Sequence, residues 1–254
     1  FCIVLAIPAV FHNLSDLILG QSDQVMLRHM TNDATVGHYG YAWNFCNILF
    51  VLFGALNRTW CPFFFDEMKE GRRDAMLSKT RNFLELFTVL ACGFILLAPE
   101  VYHVYASRAF WPSTGVIPLF IISYYINFLC TFPVNYEYYH KRTKIVAIVT
   151  VSCSMLNVGL NYFLIRAMGM AGAALATAIS HGIQLLLHHC YVSFHLGRGE
   201  YPFPVKLWIR YVLAFGAIVA VVMLTPDGWL LRWPMGAVIG LWELMQIKKR
   251  KVLI

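Results

Sequence analysis

The stretch 151-VSCSMLNVGLNYFLIRAMGMAGAALATAISHGIQ-184 decides what kind of chain this is. It opens as an apolar segment carrying Asn157 and Asn161, passes through Arg166, Gly169 and Gly172, and resumes as the small-residue run Ala173-Ala174-Leu175-Ala176-Thr177-Ala178-Ile179-Ser180. The pattern predicts two helices joined by a tight turn. On the first, Thr150, Ser154, Asn157 and Asn161 fall at i, i+4, i+7 and i+11, which is one face. Lipid offers an amide no partner, so a polar stripe inside an apolar helix must point at protein or water. The stripe predicts a cavity wall, and helix-to-helix bonding is the plainer alternative.

Composition sets the solvent. Hydrophobic residues make up 59% of the 254 and charged residues 13%, with a mean hydropathy of +0.62. Soluble domains carry about 25% charge, so this is an all-α integral membrane protein. Apolar runs of about 20 residues, enough to cross roughly 30 Å of hydrocarbon, recur eight times, near 3–27, 36–57, 83–102, 114–135, 144–165, 171–194, 206–224 and 229–246. Of the 20 Lys and Arg, 16 fall on connections of one side, leaving only Arg28, Arg108, Arg166 and Arg232 on the other. The positive-inside rule then places the tail Lys248-Lys249-Arg250-Lys251 of this multi-pass membrane protein in the cytoplasm. Topology accounts for the +7 charge without any nucleic-acid partner.

The opening Phe1-Cys2-Ile3-Val4-Leu5 has no Met, basic flank or cleavage site, which predicts a fragment of a longer protein rather than a signal peptide. Seven cysteines stand singly, so neither a disulfide framework nor a zinc site is expected.

Further polar stripes follow. Asn13, Asp16, Gly20 and Asp23 share a face of the first segment, and Asp16 and Asp23 are candidates for ion coupling. Asn44 and Asn47 share a face of the second. Asn127, with Ser123 and Thr131, marks the fourth, where Pro118 and Pro133 predict kinks. Thr177, His181, Gln184 and His188 mark the sixth. The candidate cavity lining is therefore Asn44, Asn47, Asn127, Ser154, Asn157, Asn161, Thr177 and His181. Between the second and third segments, the charged stretch after Phe65 predicts a short helix on the inner surface, a plain solvated loop being equally compatible. The last two segments lack such a stripe and look peripheral.

Catalytic constellations are thin. His181, His188, His189 and His195 lack a carboxylate or cysteine at ligand spacing. There is no GxSxG, Walker loop or dinucleotide fingerprint. No enzyme, no metal and no cofactor are expected.

The run Asn157-x3-Asn161-Tyr162, Ile165, Gly169-x2-Gly172-Ala173-Ala174, Ala176-Thr177, Ile179-Ser180 resembles bacterial polysaccharide-biosynthesis flippases, the Wzx-type O-antigen translocases of the multidrug and oligosaccharidyl-lipid exporter superfamily. Ser22-Asp23, Val36-Gly37-x-Tyr39, Pro62-Phe63, Ala98-Pro99-Glu100, Trp111, Ile117-Pro118 and Lys141-x-Thr143-Lys144 match in order, and Gln24 departs where the family often has Arg. The resemblance implies a MATE-like architecture of two six-helix lobes around a cleft. Residues 1–195 would be the second lobe and 196–254 an added helix pair with the basic tail, the N-terminal lobe being absent. It also implies flipping of an undecaprenyl-pyrophosphate-linked oligosaccharide for surface polysaccharide such as the O-antigen of lipopolysaccharide. Its partners would be that cargo, membrane lipid, the first lobe, and the polysaccharide polymerase and glycosyltransferases. Arg58 and Arg166 are candidates for the pyrophosphate. A multidrug or cation antiporter of the same fold, or a lipid II flippase, is the alternative.

Overall fold

The computed structural model describes residues 10, 13–14, 21–196, 201–203, 205–225 and 228–250. Eight helices occur among them: α1 (21–30), α2 (Asp33–Glu70), α3 (Arg73–Tyr105), α4 (Ile117–Tyr139), α5 (Thr143–Met168), α6 (Met170–Tyr191), α7 (Val205–Leu224) and α8 (Trp229–Arg250). A 3-10 segment, Arg108–Val116, leads into α4, and a π turn, Val192–Leu196, follows α6. From α2 to α7, six helices are long and apolar enough to cross a membrane. The first expected span lies mostly outside the described residues. The 22-residue α8 is less apolar because Arg232 and Glu243 sit within it.

The inner connection expected after the second span is in fact helix. α2 runs through Pro62 to Glu70 without a break, and α3 starts three residues later. At 1.5 Å per residue its 38 residues reach about 57 Å, so α2 outruns the hydrocarbon core. It stops at Gly71, whose φ of +70° lets the Arg72 N–H reach back to the Glu67 carbonyl. Pro118 also departs from expectation: it lies in the first turn of α4, where a missing N–H costs nothing, and only Pro133 falls within the helix.

The chain forms two compact units. The first comprises Phe1–Asn44 and Ile122–Tyr201, the second Phe45–Ile121 and Pro202–Ile254. In the first, α5 and α6 form an antiparallel pair hinged at Gly169, whose φ of +58° is open to glycine and strained for other residues. Three residues on, a Cβ at Gly172 would lie 2.0 Å from the Leu164 carbonyl oxygen. With Ala173, Ala174 and Ala176 wholly buried beside it, the backbones approach closely, as membrane helices do when lipid supplies no hydrophobic drive between them.

In the second unit α3 is central, packed against both α7 and α8. Trp60 stacks on Phe83 at 5.1 Å between centroids, and Phe64 and Phe203 close around them. α7 and α8, bare of a polar stripe in sequence, are tied down at one end by charge. Arg232 is 1% exposed, pairs with Glu100 of α3 and donates to the Thr225 carbonyl. One turn on, Gly236 faces Leu96 and Leu97.

Two stability outcomes follow. Gly172→Ala lowers the melting temperature of the detergent-purified protein, at a cost of about 1–3 kcal/mol for forced overpacking, whereas Gly115→Ala, with open space around it, does not. Glu100→Ala strands a buried cation and costs about 3–5 kcal/mol. Arg232→Met leaves the quarter-exposed Glu100 and costs less in the same melt.

Candidate functional site

The polar stripes of the first unit meet one another. Asn157 of α5 is wholly buried and its Oδ1 accepts from Ser22 Oγ of α1 and from Asn161 Nδ2, both at 3.0 Å. Its Nδ2 donates to Thr177 Oγ1 of α6 at 3.4 Å. Two helical turns along the antiparallel pair, Gln184 Nε2 donates to Thr150 Oγ1 at 3.4 Å. The periodicity that aligned four polar residues on each helix thus supplies a ladder across the α5–α6 seam. Each partner satisfies a group that would otherwise sit bare in a low-dielectric interior.

Three more connections complete the set. His181 Nδ1 lies 2.7 Å from Ser123 Oγ of α4. His188 Nδ1 lies 2.9 Å from Glu137 Oε1, both side chains being wholly inaccessible. Asp23 of α1 is buried, accepting from the Tyr39 hydroxyl on one oxygen and from the Gln24 N–H on the other.

The sequence-predicted residues divide by exposure. Asn157, Asn161, Thr177 and His181 are buried in the seam, and Ser154 bonds its own helix at the Val151 carbonyl. Asn44 and Arg58 are exposed, while Asn47 and Asn127 are half-buried. On α2, Asn47, Val51, Gly54 and Arg58 follow one accessible face, with Asn44 a turn earlier on the same helix. Arg166 is exposed at the end of α5 and lies over the Tyr162 ring at 4.2 Å. Asp16 lies outside the described residues.

Glu137 carries no signal in the sequence, whereas His188 belongs to the polar stripe of the sixth segment. Near a helix end, Glu137 sits where a carboxylate ordinarily meets water, yet its side chain is wholly buried beside His188. Ser22 and Ser123 were named for other reasons and serve as cross-helix donors or acceptors. Among the described residues, no three His, Cys, Asp or Glu side chains gather as metal ligands.

The solved lipid II flippase MurJ, in its inward closed conformation, matches with a TM-score of 0.68 over 97% of this chain and 53% of that chain, at 15% sequence identity. The fold is MurJ-like. Two curated Haemophilus influenzae proteins are similar in sequence: an uncharacterized membrane protein, 26% identical over 152 residues, and Lsg locus putative protein 1, 23% identical over 153. Each alignment covers 59% of this chain and 37% of the relative. The chain thus matches little more than a third of these relatives and about half of the solved flippase. No family model matches the sequence.

Asn157→Ala removes three bonds at once and leaves Ser22, Asn161 and Thr177 without their partner, costing about 1–3 kcal/mol. In a double-mutant cycle with Thr177→Val the two losses are less than additive, read from melting of the purified protein.

Proposed function

We propose that the chain is part of a flippase that carries an undecaprenyl-pyrophosphate-linked oligosaccharide from the inner to the outer leaflet of the bacterial cytoplasmic membrane for surface polysaccharide biosynthesis. In this reading residues 1–195 act as the second lobe and 196–254 as an added helix pair with its basic tail in the cytoplasm. A first lobe, encoded elsewhere in a longer parent protein, rocks against it. A polymerase and glycosyltransferases make and use the cargo, and membrane lipid holds its tail.

One observation carries the reading. An amide and a guanidinium, Asn47 and Arg58, line an accessible face of a helix apolar enough to span the membrane, with Asn44 a turn before them. Within the span an amide such as Asn47 is costly against lipid tails and is ordinarily turned toward a wet path or a protein partner, and Arg58 stands on the same face just past the expected end of the span. Amides suit sugar hydroxyls, and a guanidinium suits a pyrophosphate in fork geometry. This shifts the cargo contacts toward Asn47 and Arg58 of α2, because the Asn157 amide is committed to Ser22, Asn161 and Thr177.

The MurJ-like fold supports a second reading, in which the lipid-linked cargo is a peptidoglycan precursor. Deletion of the parent gene separates the two: lost surface polysaccharide in viable cells supports the first, and lethality with swelling supports the second. An antiporter driven by Asp23 has less support, since both its oxygens are engaged.

In the full-length protein, Arg58→Ala lowers surface polysaccharide about tenfold or more at unchanged protein level, the loss expected for one charge-assisted contact, and Arg58→Lys retains part of it. Normal polysaccharide in Arg58→Ala cells, with Asn47→Ala equally silent, sinks the proposal.

A further inference from the structure

The pairing of Glu137 with His188 goes beyond what a helix clip requires. Both side chains are wholly inaccessible, yet among the described residues each uses only one of its two polar atoms: Oε1 and Nδ1 bond each other, while Glu137 Oε2 and His188 Nε2 find no hydrogen-bond partner there. A structural network is ordinarily satisfied throughout, and a buried polar atom left over calls for a reason. Asp23 is the contrast, with both oxygens engaged.

Among the described residues, the surroundings supply no fixed charge to balance the pair. Around it lie Tyr136 and Cys130 on α4, Gln184 and His189 on α6, and Tyr201 from the segment after α6. Tyr201 packs on Tyr136 at 5.2 Å and on His189 at 5.6 Å. Burial pushes its phenol well above the ordinary range, with Cys130 and Glu137 adding to the effect, so Tyr201 stays neutral. Among the described residues, the cations of this end, Lys141, Arg142 and Lys144, are exposed around the turn from α4 to α5, as is His140. A carboxylate beside a neutral imidazole here is one uncompensated negative charge, which burial disfavours.

The geometry points to Glu137 and His188 as a proton-binding site that holds one exchangeable proton between them. When the proton is bound it sits on Glu137 beside a neutral His188, and the pair carries no net charge. On release it leaves Glu137 as a carboxylate and His188 neutral. Glu137 lies two residues before the end of α4 and His188 three before the end of α6. The pair therefore sits near the end of the span that carries the basic turn, and any opening there that wets Oε2 and Nε2 lets the proton exchange. Neither the cargo nor the cavity enters this inference.

The test is infrared difference spectroscopy over a pH titration of the full-length parent protein in lipid bilayers. The expected result is a protonated-carboxyl stretch that is absent in Glu137→Gln and whose midpoint moves by about one pH unit or more in His188→Gln. The band must persist in Asp23→Asn. Should Glu137→Gln fail to fold, the double substitution Glu137→Gln/His188→Gln keeps a neutral hydrogen-bonded pair and serves in its place. A band that survives in either variant, or that is lost with Asp23→Asn instead, overturns the proposal and leaves the pair a structural clip.

Discussion

Inside hydrocarbon, a hydrogen-bonding group must find its partner within the protein, and most of this structure answers to that constraint. Helices satisfy the backbone. The side chains then have to be satisfied between helices, which is why the polar residues of α5 and α6 lie in register rather than scattered. Asn157 accepts twice and donates once, joining α1, α5 and α6 at one point. Such bonds average roughly 1 kcal/mol or less in membranes, so their value here is in fixing which helix faces which as much as in stability.

Close approach is the second half of the same solution. With no hydrophobic effect drawing helix to helix in lipid, dispersion requires that backbones touch, and Gly172 and the alanines after it permit this. The turn at Gly169 sets the antiparallel register, and the register pairs Asn157 with Thr177 and Thr150 with Gln184. A single glycine conformation thus propagates into the polar ladder two turns away. In the second unit the corresponding task falls to stacked aromatics around Trp60 and to the Arg232–Glu100 pair, which anchors α8 on α3.

On the proposed function, these bonds also decide which side chains are left for cargo. A side chain committed to a neighbouring helix is a poor contact for a cargo that must be released, whereas an accessible amide or guanidinium on a spanning helix has capacity to spare. The division between Asn157 and Asn161 on one hand and Asn47 and Arg58 on the other follows from accessibility, a property that spacing along a helix does not encode.

The sequence by itself determined the solvent, the helical class and most helix positions, because length, apolarity and period are local properties of the chain. It also marked a tight turn in the stretch through Gly169 and Gly172, and the stripes as faces. It could not say what each face meets. The continuation of α2 through Pro62 to Glu70, the opening role of Pro118, the burial of Arg232 against Glu100 and the enclosure of Glu137 beside His188 were decided by tertiary structure. The physical reason is shared: the partner of each group stands on another helix, 51 residues away for Glu137 and 132 for Arg232, and one helix's periodicity carries no information about its neighbour's.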